Sequence, residues 1–434
     1  MTVRIGVHFI RRRILTRALR HGGEAVHSSV FRCAKGFEAL CAQPEDDGVD
    51  FHAWDEREPV EDFVARSDVL VGIPDIRLLN ARDRAPHRPP YLALVMGDAT
   101  RALPWRTALV RRFGAQDTFV CSCSADTGIL RLFLEPPEES SVDTAPMPSL
   151  LEQFLPTGPP DPAVTRALAG FAPERPVVLS AERMKPEKGV HHVVSLAGYL
   201  REHGHDPVLV LLSAGQRTPY QLRVEQQVMA AGLTGSTVLL PFLDARGLAT
   251  AYQRASFVVS ASTIYDNNFG YVPIESQLVG TPPVVADWGG YRDSVLDGRT
   301  GVHMPTTLHG DGAVTLDWEP AAVTAEAMLR DPARYRSAVA AGKAHIEANY
   351  SLAAARRRYT ELAHTALARP RGGGWGISEL GWRAVESGWT DQSDNPDRTG
   401  RRQQGSRGDA EARQAIHQLI YARYVTHSTA ARTA

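Results

Sequence analysis

The chain has 434 residues, 43% hydrophobic and 22% charged, with a formal net charge of −1. That length exceeds the size at which one hydrophobic core keeps growing, so two domains are expected. The near-zero charge excludes the basic balance of a typical nucleic-acid binder, and no apolar run reaches the length of a bilayer span. The opening MTVRIGVHFI is too short and too strand-like for a secretory leader, which predicts a cytoplasmic protein. The cysteines Cys33, Cys41, Cys121 and Cys123 show no CxxC spacing and no clustered histidines, so reduced thiols are expected and a metal site is not.

In chain order, VRIGVHF from Val3 reads as a buried parallel strand. An arginine-rich stretch follows (Arg11, Arg12, Arg13, Arg17, Arg20), and Gly22 and Gly23 open a helical pattern to about Ala42. DVLVGIP, YLALVMG and DTFVCSC are further strands, so the first half predicts strand–helix alternation around a parallel sheet. Residues 135–162, rich in Pro, Ser and acidic side chains, read as a linker. A clearer alternation then begins. PVVLSAE, DPVLVLLSAG, TVLLPFL, ASFVVSAS and PPVVADW are strands, separated by amphipathic helices that close on glycine or arginine. Residues 319–368 read as helices. Beyond them Trp375, Trp382 and Trp389 recur every seven residues, a spacing that predicts one helical face used for packing or for contact with a second copy. Residues 391–410 read as a flexible loop and EARQAIHQLIYARY as a last helix.

Two segments carry chemistry. In the first, Phe269 and Gly270 lead straight into the helix VPIESQLVG. A helix start offers unsatisfied N–H donors and partial positive charge, which suits sugar hydroxyls or phosphate oxygens. Glu275 lies in the early turns of that helix, where a carboxylate can accept from both hydroxyls of a ribose. Gly289 and Gly290 follow a buried strand at its carboxyl end, the side on which open α/β sheets bind ligands. The bland alternative for Glu275 is a solvated helix carboxylate. The second segment is SAERMKPEKGV, where Arg183 and Lys188 flank a loop between a strand and a helix. Arginine forks across phosphate oxygens and lysine supplies a point charge, so the pair suits a diphosphate. Only Lys35, Lys185, Lys188 and Lys343 are lysines, and two of these four fall in this loop. Here the bland alternative is a charged, solvated turn.

Together these segments resemble the large retaining glycosyltransferase family 4, of the GT-B fold. Its R-x4-K-G element is matched by Arg183, Lys188 and Gly189. Its E-x-F-G-x4-E-x4-G-x-P-V-V run, GG pair, acidic residue and DGxxG turn are matched by Asn267, Phe269, Gly270, Glu275, Gly280, Pro282, Gly289, Gly290, Asp293, Asp297, Gly298 and Gly301. The match is specific over residues 176–368 and weaker over 1–150. It implies an α/β protein with two Rossmann-like, doubly wound domains facing a central cleft. These are an acceptor domain over 1–150 and a nucleotide-sugar donor domain over 151–368, followed by a helical or flexible extension over 369–434.

The resemblance also implies roles. Arg183 and Lys188 hold the diphosphate and stabilise its leaving charge, and Glu275 binds the ribose. Phe269 and Gly270, with Asn267 and Asn268, bind the donor sugar. Pro241, Phe242 and Leu243 lie against the base, and Gly22 and Gly23 touch the donor phosphate and the acceptor. Asn267 stands where the family carries glutamate. It can hydrogen-bond a hydroxyl but bears no charge, which fits either an unusual donor sugar or weakened activity. After YLALVMG, Asp98 and Arg101 are the acceptor-site candidates, with Asp98 also the candidate catalytic carboxylate; an N-cap and a surface arginine are the equal alternatives. The arginines at 11–20 suit a solvated face, an anionic acceptor or acidic lipid.

The implied reaction moves a hexose-like sugar from a UDP- or GDP-sugar to a small polar or anionic acceptor with retention of configuration. It needs no obligatory cofactor, and the lack of a D-x-D at a strand end argues against an obligate metal. Antibiotic or low-molecular-weight thiol biosynthesis is the setting the resemblance suggests, and a homodimer through the extension is a further expectation. The rivals are another GT-B activity, such as an epimerase, and a nucleotide-binding pseudoenzyme with a scaffold role.

Overall fold

The computed structural model describes residues 2–8, 29–46, 48–95, 109–155, 158–212, 218–264, 269–309, 313–386, 414–416, 418–420, 422–425 and 427–428. Short β-branched runs build two parallel sheets. The first contains β1 (Val3–His8), β2 (Val49–Ala53), β3 (Val69–Gly72), β4 (Tyr91–Val95), β5 (Thr118–Cys121) and, beyond the two-residue β6 (Leu134–Glu135), β7 (Val142–Thr144). Its order is β2-β1-β3-β4-β5-β7, every pair parallel. The second contains β8 (Val177–Ser180), β9 (Val208–Leu212), β10 (Thr237–Leu240), β11 (Phe257–Ser260), β12 (Pro283–Ala286) and β13 (Val302–Met304), in the order β10-β9-β8-β11-β12-β13, again all parallel. The central strands β3, β4, β8, β9, β11 and β12 are buried along their whole length, as continuous apolar runs covered by helices on both faces require. The expected pair of doubly wound domains is present. In the second sheet the strand order reverses between β8 and β11, which opens a crevice at their carboxyl ends.

The long helix Leu352–Ala368 leaves the second sheet and packs on the first. Tyr359, Leu362 and Ala366 share one core with Ile5, Val7 and Phe37, and the Phe37 and Tyr359 rings meet edge to face at 5.4 Å. Grouped by sequence position with the donor domain, this helix completes the first domain's core.

A small sheet flanks the second domain: β14 (Thr306–Leu308) pairs antiparallel with β15 (Val314–Leu316). The extension straps both domains. Strand β16 (Gly376–Ile377) pairs antiparallel with β6, and β17 (His427–Ser428) runs parallel to β14. Between these strands, Tyr424 stacks on Trp288 of the second domain at 5.1 Å. Its hydroxyl donates to Asp126 of the first at 2.8 Å, and its carbonyl accepts the Gly289 N–H at 3.0 Å.

The tryptophan repeat is not one helical face. Trp375 precedes β16 and packs edge-on to Phe119 and Phe113, with Nε1 donating to the Gly114 carbonyl at 3.1 Å. The helix starts only at Glu379, because the Ser378 hydroxyl accepts the Gly381 N–H and the two residues before it are committed to the strand. Trp382 lies on that helix, 40% exposed, and Trp389 lies outside the described residues. No helix among the described residues is long and apolar enough to cross a membrane.

Candidate functional site

The loop after β8 carries the cations expected from the sequence. Arg183 is exposed, whereas Lys188 is 7% exposed and ends a one-turn 3-10 helix, Pro186–Lys188. Gly189 follows with φ +62°, and a Cβ there would sit 2.4 Å from the Ala261 carbonyl oxygen. Only glycine lets this loop lie directly on the exit of β11, where the Ser262 hydroxyl also donates to the Glu187 carbonyl at 3.2 Å.

Beneath Lys188 lies a carboxylate whose role the sequence reading left unassigned. Glu182, 8% exposed, faces Lys188 Nζ with Oε2 at 3.4 Å. Its Oε1 accepts from the Ser260 hydroxyl at the end of β11 and lies 3.2 Å from the Tyr291 hydroxyl, which is 2.7 Å from Ser260 Oγ. Burial pushes the Glu182 carboxyl up. The Lys188 charge and the hydrogen bonds from Ser260, Lys188 and Tyr291 outweigh it, leaving the group below the ordinary carboxylate range. Tyr291 follows the Gly289–Gly290 turn, and its ring lies under Gly270, where a Cβ would come within 2.8 Å of it. Gly270, at φ +72°, starts the helix Tyr271–Leu278. The cationic loop, the double-glycine turn and the helix start therefore meet at the sheet's reversal point through Glu182 and Tyr291.

Glu275 is on that helix, 1% exposed, and both its oxygens are engaged. Oε2 accepts from the Tyr252 hydroxyl at 2.9 Å, and Oε1 accepts from Arg32 of the first domain. Burial holds its carboxyl above the ordinary value despite Arg32 and Tyr252, with the Glu182 charge adding to the upward push. The Arg32 guanidinium also lies over the Tyr271 and Phe154 rings, 5.0 and 5.6 Å from their centroids. Arg32→Gln is expected to cost about 2 kcal/mol by leaving Glu275 buried against one donor. A urea unfolding curve reads this, and an unchanged midpoint would show that the pair carries no stability.

A cavity of about 240 Å³ opens beside this pair, walled by Arg32 and Lys35 from the first domain, Phe154 from the connection, and Ala245, Tyr271 and Glu275 from the second. Its size suits part of a nucleoside or a small polar molecule. The domains also meet where Asp293 accepts from the Ser124 backbone N–H and hydroxyl, both at 2.6 Å, at the start of the helix Ser124–Phe133.

The remaining sequence candidates divide three ways. Phe242 is half-buried two residues past β10, and Leu243 is buried in the second domain's core with Leu240 and Leu248. Phe269 is buried against Tyr271 and Tyr350, so its ring packs the junction and its neighbouring backbone alone can meet a ligand. Gly22, Gly23, Asp98, Arg101, Asn267 and Asn268 lie outside the described residues, as do the arginines at 11–20. Among the described residues no group of three His, Cys, Asp or Glu side chains is arranged to hold a metal ion. Two residues went unread in the sequence. Glu182 closes an apolar strand directly before Arg183, a visible local signal. Arg32 sits 243 positions from Glu275, with no local signal at all.

Residues 165–315 match the family described as Glycosyl transferases group 1. The chain is similar to the D-inositol 3-phosphate glycosyltransferase of Nocardia farcinica, 30% identical over 188 residues, which are 42% of this chain and 39% of that one. It is 32% identical over 196 residues to the protein of that name from Xylanimonas cellulosilytica, covering 44% and 43% of the two chains. The aligned region thus spans about two-fifths of these curated relatives. Among solved structures, a glycosyltransferase from Rickettsia africae superposes with a TM-score of 0.58 at 13% identity, over 85% of this chain and 99% of that one. Anabaena HepE in complex with UDP gives 0.56 at 14% identity, over 84% and 100%. The two-domain fold is GT-B, and residues 165–315, within its second domain, are similar to the group 1 glycosyl transferases.

Proposed function

We propose that this chain transfers a sugar from a nucleoside diphosphate sugar to a small polar acceptor with retention of configuration. The observation that carries the reading is the convergence of the Arg183–Gly189 loop, the Gly289–Gly290 turn and the start of the Tyr271–Leu278 helix at one sheet reversal point. In transfer of this kind the bond from the anomeric carbon to the diphosphate oxygen breaks, and negative charge grows on the departing group. Lys188, buried in the loop after β8, and Arg183, exposed at the rim, supply the cations that stabilise that charge. Closure of the domains across the cleft keeps water from the sugar. An inositol phosphate or a similar anionic polyol is the acceptor we favour, in line with what the curated relatives are named for. That acceptor class favours the thiol-pathway setting over an antibiotic one.

A thermal-shift panel of UDP, GDP, ADP and TDP, each with and without its common sugars, tests the donor half. One nucleotide is expected to raise the melting temperature, with about 2.7 kcal/mol of stabilisation at a hundredfold excess over Kd, and Arg183→Ala is expected to abolish the shift. No shift with any nucleotide would reject the reading. The competing reading, a nucleotide-binding partner protein without transfer, draws on the full engagement of both Glu275 oxygens. It predicts a shift but neither transfer nor hydrolysis of the matching nucleotide sugar.

A further inference from the structure

Lys188 is the cation assigned above to the leaving diphosphate, yet its ammonium already faces a buried carboxylate. We propose that Glu182 is a positioning residue that sets how tightly the site holds a nucleoside diphosphate, by competing with it for Lys188. The inference rests on the transferase reading of this site and adds a residue to it.

The geometry separates the two carboxylate oxygens by task. Oε1 is tied to Ser260 at the end of β11 and lies beside Tyr291 after the double-glycine turn, so the group stays anchored whatever Lys188 does. Oε2 points at the ammonium. Lysine has three donors and a flexible stem, so it can exchange a carboxylate oxygen for a phosphate oxygen without leaving the crevice. With the site empty, Glu182 spares the fold an unpaired buried cation. With a diphosphate bound, the fixed negative charge opposes the ligand's own, and it offers Lys188 a partner when the product departs. Without Glu182 the buried ammonium has only the diphosphate to pair with, and release slows. A carboxylate needed merely to hold the loop in shape would act the other way, because its loss would misplace Lys188 and weaken binding.

Titration calorimetry of wild type, Glu182→Gln, Lys188→Met and the double variant with UDP, GDP, ADP and TDP separates these outcomes. Glutamine keeps an acceptor for Ser260 and removes the charge. The expected result is that Glu182→Gln binds the preferred nucleoside diphosphate about tenfold more tightly, equivalent to about 1.4 kcal/mol, and that the gain vanishes in the Lys188→Met background. In steady-state transfer, kcat and KM are expected to fall together in Glu182→Gln, as slowed product release requires. Should that variant fail to fold, Ser260→Ala serves. Losing a donor on Oε1 makes the carboxylate a stronger partner for Lys188, so affinity is expected to drop severalfold with kcat and KM rising together. A merely misplaced Lys188 would instead weaken binding and lower kcat. Equal or weaker binding by folded Glu182→Gln, a gain that persists without Lys188, or unchanged affinity in Ser260→Ala would each overturn the proposal. Failure of both wild type and Glu182→Gln to bind any of the four nucleotides would overturn the transferase reading together with it, whereas binding by wild type without the gain overturns this inference alone.

Discussion

Lys188→Met is expected to lower the rate of sugar transfer by about 10²–10³-fold, the usual cost of removing one fixed donor aimed at charge that develops in a transition state. Lys188 is 7% exposed at the reversal point of the second sheet, in surroundings that amplify its interaction with a departing diphosphate. The substitution also strands Glu182, buried and without its cation, so a loss of stability comes with it. The double variant Lys188→Met/Glu182→Gln removes both charges and is expected to recover the melting temperature while transfer stays low. Initial rates with the nucleotide sugar selected by thermal shift, beside melting curves of all three proteins, provide the check. A rate within threefold of wild type in the folded double variant would remove Lys188 from the chemistry.

Asp117→Ala is expected to destabilise the first domain by about 3–5 kcal/mol, the cost of breaking a buried ion pair by removing one partner. Asp117 is fully buried and Arg82 is 1% exposed, with Arg82 Nη2 donating to Oδ2 at 2.6 Å. The same carboxylate accepts the Tyr91 N–H at 2.8 Å and the Gly114 N–H at 2.7 Å, while Arg82 Nε donates to the Pro89 carbonyl at 2.9 Å. One side chain thus ties the entry of β4 to the turn before β5, and alanine would take the acceptor from Arg82 Nη2, from the buried Tyr91 N–H and from the half-buried Gly114 N–H. Two domains need not unfold as one, so the transition to follow is that of the first domain, reported by near-ultraviolet signals from Trp54 and Trp375 in urea. A change under 1 kcal/mol would mean that water reaches these groups.

Both predictions turn on buried charge, and buried charge is where sequence and structure part. The sequence by itself determined the central strands of both sheets, because runs such as VLVG, YLALV, VVLS and FVVS bury both faces of a strand and read as parallel strands whatever surrounds them. It also determined the position of the Arg183–Gly189 loop and of the helix start at Gly270, since each is a local arrangement of a strand end, a glycine and a charge. Only the tertiary structure decided what those charges face. Glu182 meets Lys188 within one loop, but Ser260 and Tyr291, which anchor it, arrive from two other strand ends, and Arg32 reaches Glu275 from the other domain. Likewise the periodicity of Leu352–Ala368 shows an apolar face but not that this face covers the first sheet, and the sevenfold tryptophan spacing is blind to the strand pairing that takes Trp375 out of a helix. Periodicity records which side of an element avoids water. The identity of the partner across a contact depends on chain closure over tens to hundreds of residues, and no local pattern encodes it.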